Sequence, residues 1–197
     1  MKRNRPTDAV PFSATRRALI VGGVTAAAAY LLTRRGAAAT LSAPKRGATV
    51  RIENFSPSGH ALGVSEVPRV QKTDEEWRAQ LSPASYQVTR HEGTEPAFSG
   101  KYDESRADGL YVCVCCATVL YDSRTKFDSG TGWPSFWQPI SRLNVTETKD
   151  HSWGMERIAV SCSRCDAHLG HVFDDGPKPT GLRYCMNSVA LNFVARA

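Results

Sequence analysis

Two cysteine pairs, Cys113-x-x-Cys116 and Cys162-x-x-Cys165, stand with 45 residues between them. The two-residue spacing lets both thiolates of a pair reach one ion from a single tight turn, and two such turns complete a tetrahedral shell of four sulfurs. Any fold must therefore bring two remote turns to one point. Zinc suits this donor set. With no ligand position left open, the metal is expected to be structural. Two disulfides are the competing outcome, and either pair alone could be a redox couple, though neither sits in a βαβ context. Cys115 makes Cys113/Cys115 or Cys115/Cys116 ligation conceivable; the Cys-x-x-Cys geometry leaves Cys115 as the spare.

The sixth cysteine, Cys185, lies apart in GLRYCMNS, residues 181–188. An isolated cysteine can be an inert small hydrophobe, half of a disulfide or a nucleophile. If the segment is a strand, Arg183, Cys185 and Asn187 share one face. Arg183 would then favour a thiolate, and Asn187 would offer a donor to a bound oxygen. AHLGHVF, residues 167–173, supplies His168 and His171, which can exchange protons near neutral pH, ligate metal or simply pack. Four thiolates already fill the metal shell, which leaves the histidines for catalysis. SGTGWPSFW, residues 129–137, puts Trp133, Phe136 and Trp137 after a glycine-rich turn. Such aromatics are core, or an exposed indole on a rigid loop can cup a substrate methyl group.

The sequence divides into a leader (1–39), a linker rich in Ser, Pro, Gly and Ala (40–69), and a domain (70–197). In KTDEEW, Thr73 and Glu76 form a capping box opening a helix to about Leu81. Ser82 then caps a second helix with Pro83 at its first position. From Gly109 onward, LYVCV, TVLY, RIAVSC, HVF and SVALNFV read as short strands separated by turn residues. The expected fold is mainly β (α+β), an antiparallel body behind small N-terminal helices.

Residues 1–46 carry nine Lys/Arg and one acid, a net of +8, while the rest of the chain is at −2. The body thus offers no electrostatic case for nucleic acid. Within the leader, Arg16–Arg17 precede an apolar run from Ala18 to Leu32, then Ala37-Ala38-Ala39. The order resembles a twin-arginine export signal, whose cargo crosses already folded, toward a bacterial periplasm. Arg34 and Arg35 depart from that layout and leave open an uncleaved membrane anchor. Folding around a metal before export would protect the paired cysteines in an oxidising compartment.

TKFDSGTGWPSFW, CSRCDAHLGHVFDDGPKPTGLRYCMNSVALNF and the paired CxxC motifs together resemble the methionine-R-sulfoxide reductases, the B class of methionine sulfoxide reductase, over about residues 70–195. The resemblance implies a β-tent fold of two small antiparallel sheets with short N-terminal helices, pinned by a four-cysteine zinc site on Cys113, Cys116, Cys162 and Cys165. It implies Cys185 as nucleophile, His168, His171 and Asn187 as catalytic partners, Trp133 as the wall for the substrate's methyl group, and a lesser role for Arg183. The substrate would be oxidised methionine in proteins, and a thioredoxin-like dithiol or other thiol would regenerate the enzyme. Many members carry a resolving cysteine in the glycine-rich loop; here the position is Thr131. An external thiol, or Cys115, must then meet the sulfenic acid left on Cys185. A reductase of free methionine-R-sulfoxide and a non-catalytic zinc-stabilised binding module are the alternatives.

Overall fold

In the computed structural model, residues 47–151 and 156–197 are described. The leader (1–39), and with it the export signal, lies outside the described residues. Two helices open the domain as expected. Helix α1, Asp74–Gln80, starts from Thr73, whose hydroxyl accepts the Glu76 N–H at 3.3 Å while the Glu76 carboxylate accepts the Thr73 N–H at 2.7 Å. Helix α2, Pro83–His91, starts from Ser82, whose hydroxyl accepts the Ser85 N–H. Each cap satisfies amide hydrogens that the first helical turn leaves without partners.

Eleven strands are described, in three antiparallel sheets. Strands β1 (Thr49–Phe55) and β2 (Ala61–Pro68) form a hairpin. Strands β3 (Gly109–Cys113), β4 (Val119–Asp122) and β11 (Leu191–Ala195) form a three-stranded sheet in the order β11-β3-β4. The rest are β5 (Lys126–Phe127), β6 (Ser135–Phe136), β7 (Val145–Asp150), β8 (Arg157–Cys162), β9 (His168–Phe173) and β10 (Arg183–Met186). They make a six-stranded sheet in the order β5-β6-β10-β9-β8-β7. The two larger sheets are the body the sequence leads one to expect.

The hairpin corrects the sequence reading of 40–69 as a linker over its described part. Ile52 is buried. Asn144, fully enclosed, accepts the Glu53 N–H at 2.9 Å and donates to the Glu53 and Val119 carbonyls at 2.9 and 2.8 Å. One side-chain amide thus pairs with the backbone of Glu53 in β1 and ties it to β4. That support lies 91 residues away in sequence, so composition and weak periodicity could not reveal it.

An aromatic layer joins the two larger sheets. Tyr121 stacks on Phe136 at 4.4 Å between ring centroids, and Tyr111 meets Phe136 edge-on at 5.0 Å. Tyr184 and Met186 on β10 are fully buried in the same core, and the Tyr121 hydroxyl reaches Met186 Sδ at 3.1 Å. Strand alternation sends the residue between them to the opposite face. Tyr184 and Met186 anchor the strand; Cys185 is what it presents.

Candidate active site and metal centre

The two knuckles are built alike. In the first, Cys113 C=O accepts the Ala117 N–H and Cys113 N–H reaches Thr118 C=O; in the second, Cys162 C=O accepts the Asp166 N–H and Cys162 N–H reaches Ala167 C=O, all at 2.8–2.9 Å. Ala117 and Asp166 each take positive φ, 59° and 55°, to close the turn. The first turn leads out of β3 and the second joins β8 to β9. Gln80 of α1 donates to Cys115 C=O and Arg90 of α2 to Cys165 C=O, so the helices hold one knuckle each.

The sulfurs of Cys113, Cys116, Cys162 and Cys165 all lie within 4.8 Å of one another. Cys113–Cys165 and Cys116–Cys162 are each 3.6 Å apart. That is far beyond a disulfide bond of about 2.05 Å, and all six cysteines are free. It is close to the roughly 3.8 Å edge of a tetrahedron whose metal–sulfur bonds are about 2.3 Å. The four residues therefore fit a metal ion. Cys115, buried beside them, turns its sulfur to Thr89 Oγ1 at 3.5 Å.

Cys185 sits on a central strand of the six-stranded sheet, opposite His171 of β9 on one side and Ser135 of β6 on the other. Gly170 makes the approach possible, since a Cβ there would stand 2.1 Å from Cys185 C=O. The thiol is half-buried and opens into a cleft of about 120 Å³ that is also lined by Thr94, Trp133, Arg157, His171 and Asn187. Burial pushes the thiol above its ordinary range, against the hydrogen bond from Thr131, the positive charge of Arg183 and a hydrogen bond from Ser135. Thr131 Oγ1 lies 3.9 Å from Cys185 Sγ.

His168 and His171 are three apart, which on a regular strand would put them on opposite faces. Pairing of β8 with β9 skips Leu169: Gly170 faces Val160 and His168 faces Ser161. The bulge restores a common side, and the two rings meet edge-on with centroids 5.2 Å apart. Asn187 braces that bulge, its backbone N–H and side-chain Nδ2 both donating to Leu169 C=O at 2.8 and 3.0 Å. His168 is nearly enclosed and is not among the residues lining the cleft. Burial, then the neighbouring His171, push it down to about 4.

His171 Nε2 lies 2.9 Å from Asp150 Oδ2, which also takes the Arg157 guanidinium at 2.8 Å. A carboxylate only accepts, so the tautomer assigned to His171 carries its hydrogen on Nε2 and leaves Nδ1 as the base. Burial lowers the His171 imidazole below its ordinary value, and the bond to Asp150 partly offsets this.

The remaining sequence candidates take definite places. Trp133 walls the cleft, its indole N–H donating to Glu95 C=O at 3.0 Å. Arg183 shares Cys185's face but is engaged bidentately by Asp175 at 2.8 and 2.7 Å and stacks on Phe173. It reaches the thiol through its charge and does not line the cleft.

Three residues escaped the sequence reading. Asp150 and Arg157 carried no spacing signal. Glu95 is a buried hub: its carboxylate accepts the Ser188 and Val189 N–H groups at 2.7 and 3.0 Å, its own N–H donates to Asn187 Oδ1 at 2.9 Å, and its carbonyl fixes Trp133. The one available hint was a lone acid in GTEPAF, which is too little to act on.

Comparison with known proteins identifies relatives of this sequence. The family profile described as SelR domain matches residues 81–195. The peptide methionine sulfoxide reductase MsrB of Pseudomonas entomophila (strain L48) is 59% identical over 128 residues, which cover 65% of this chain and 98% of that protein. The MsrB of Pseudomonas savastanoi pv. phaseolicola (strain 1448A / Race 6) gives the same identity and coverage. That of Pseudomonas syringae pv. syringae (strain B728a) is 58% identical over 129 residues, 66% of this chain and 98% of that protein. The chain belongs to the SelR-domain family of MsrB methionine sulfoxide reductases.

Proposed function

We propose that this chain reduces methionine-R-sulfoxide in proteins to methionine with Cys185 as nucleophile. The observation that carries the assignment of roles is the pairing of Cys185 with His171 across β10 and β9 in a cleft walled by Trp133. Burial holds the resting pair as thiol and neutral imidazole. Nδ1 of His171, left free by the Asp150 bond, takes the thiol proton as Sγ attacks the sulfoxide sulfur. The proton then goes to the sulfoxide oxygen. One S–H and one S=O become Cys185 Sγ–OH and a thioether, so the cysteine loses two electrons and the methionine sulfur gains them.

Trp133, held by Glu95, receives the methyl group. Asn187 keeps the His168–His171 bulge in register, and Arg183 offsets the burial of the thiolate as it forms. His168, buried neutral beside His171, keeps that ring from drifting and adds no charge. The sulfenic acid condenses with an external thiol, releasing water, and a second thiol opens the mixed disulfide. A thioredoxin-like dithiol fits that task. Thr131 cannot resolve it, and Cys115 is enclosed with its sulfur turned to Thr89.

Cys113, Cys116, Cys162 and Cys165 would hold one zinc ion, which in a closed shell supplies folding energy and leaves the chemistry to Cys185. The leader supports export by a twin-arginine pathway to the periplasm, with membrane attachment only if it stays uncleaved. No nucleic-acid role is part of this reading.

Epimer-resolved reduction with a small dithiol tests the assignment. The wild type is expected to consume the R epimer and spare the S epimer. Cys185→Ser is expected to consume neither while keeping its metal and circular dichroism. Turnover by that variant would overturn the mechanism, and an inactive wild type would favour a binding module.

A further inference from the structure

The cleft at Cys185 measures about 120 Å³, below the roughly 300 Å³ at which a site encloses a whole small ligand. It has room for a side chain. A much larger concavity, about 810 Å³, lies elsewhere among the described residues, lined by Phe98, Glu104, Arg106, Arg124, Phe127 and Gly130 among others. Two strips of chain form a lip that contributes lining to both. Residues 94–98 and 130–133 are laced by Phe98 N–H to Gly132 C=O at 2.8 Å and by the Trp133 indole to Glu95 C=O. Thr94 and Trp133 face the cleft; Phe98 and Gly130 face the groove.

Phe98 is the conspicuous member of this lip. The residue is 72% exposed, and its backbone sits at φ 62°, a conformation costly for a residue with a Cβ. Gly132 leaves the space for its ring: a Cβ at Gly132 would stand 2.8 Å from ring atoms of Phe98. An aromatic ring held in solvent at the edge of the groove, on the strip of chain whose other end lines the reactive cleft, is an anchor in search of a contact. Phe127 adds apolar surface to the same groove, and the side chains of Arg106 and Arg124 make no hydrogen bond or ion pair among the described residues. Glu104 and Asp128 supply the opposite sign. Charges of both signs around two aromatic rings suit a polypeptide backbone with varied side chains better than any one small anion or cation.

We propose that this groove binds the stretch of polypeptide flanking the oxidised methionine, with Phe98 as its anchor. The inference rests on the reading of Cys185 as a sulfoxide-reducing nucleophile and deepens it, since it makes the substrate a peptide segment. Binding energy gathered on flanking residues, remote from the sulfur, then helps hold the sulfoxide in a cleft too small to grip the amino acid alone.

The test compares a ten-residue peptide carrying methionine-R-sulfoxide at its centre with the single residue blocked at both ends. In the wild type, kcat/KM is expected to favour the peptide by about tenfold or more. In Phe98→Ala, which keeps the N–H to Gly132, and in Arg124→Ala, the ratio of the two kcat/KM values is expected to fall toward one. Fluorescence anisotropy of the labelled peptide on Cys185→Ser protein, which needs no turnover, is expected to show a matching loss of affinity on adding Phe98→Ala. Equal kcat/KM on both substrates, or a ratio and an affinity that Phe98→Ala and Arg124→Ala leave untouched, would overturn the groove. Tight, Phe98-dependent peptide binding by a protein that reduces neither substrate would support the groove and sink the activity reading.

Discussion

Glu95 offers the sharpest energetic test of how the site is held. Its carboxylate, buried at 6% exposure, accepts the N–H groups of Ser188 and Val189 at the start of the short turn after β10. Replacing Glu95 by Ala leaves both amides without an acceptor, and Ser188 is itself buried. Each lost bond to a carboxylate costs about 1.5–3 kcal/mol, so the pair should cost about 3–6 kcal/mol. In a domain of this size that lowers Tm by roughly 2–4 °C per kcal/mol. Glu95→Gln keeps one carbonyl oxygen and should lose about half as much. Gly100 gives an independent check. A Cβ there would stand 2.4 Å from Glu95 Oε1 and 2.2 Å from Ser188 Oγ, so Gly100→Ala should also destabilise. Combined with Glu95→Ala, the two should cost less than their sum, because the clash with Oε1 has gone. Urea denaturation followed by circular dichroism measures all four variants against the wild type. A loss under about 1 kcal/mol for Glu95→Ala, or strict additivity with Gly100→Ala, would refute the hub.

Other consequences follow from the same geometry. Thr131→Cys places a second sulfur where an oxygen now stands 3.9 Å from Cys185 Sγ; one turnover without reductant should leave the introduced thiol disulfide-bonded to Cys185 by mass spectrometry, where the wild type leaves a dimedone-reactive Cys185. The purified protein should hold one equivalent of metal on its four clustered cysteines, and stripping it should unfold the domain; a metal-free protein with native dichroism and urea midpoint would contradict this. His168 is pushed down to about 4 in the folded state, so between pH 6.5 and 4 the unfolded chain binds the extra proton. The stability His168 confers by staying neutral is therefore complete above about pH 6.5 and falls as pH drops, by about 3 kcal/mol at most. Urea midpoints at pH 7 and 4.5 should converge more in His168→Asn than in wild type, and equal slopes would exclude the effect.

Local rules made part of this molecule legible in advance. Thr73, Glu76, Ser82 and Pro83 announce both helices because capping is chemistry within one turn. The doubled CxxC announces the four-cysteine cluster because its members come in pairs on two turns. Cys185 reads correctly as a strand residue set apart from the core, since Tyr184 and Met186 alternate around it. What stayed hidden depends on contacts that spacing does not encode. Asp150 meets His171 across 21 residues, Glu95 meets Asn187 across 92, and Asn144 meets Glu53 across 91. The hairpin at 49–68 was lost for that last reason. A run without clear alternation pairs along its length with β2, and a remote amide ties its other edge to the body at Glu53.

The bulge at Leu169 links the two halves of the structure. The second knuckle is the turn between β8 and β9, so whatever fixes Cys162 and Cys165 also fixes where β9 begins. Strand registry is unforgiving: a slip by one residue sends every side chain to the other face. Such a slip in β9 would turn His171 away from Cys185 and toward the core that Tyr184 and Met186 occupy. Two devices oppose it at opposite ends of the bulge. The knuckle holds the start of β9, with Arg90 of α2 donating to Cys165 C=O. Asn187, two residues beyond Cys185 on the neighbouring segment, holds Leu169 C=O with two hydrogen bonds. The four clustered cysteines thus bear on the Cys185 cleft, because the turn carrying Cys162 and Cys165 leads into the strand that places an imidazole opposite a thiol.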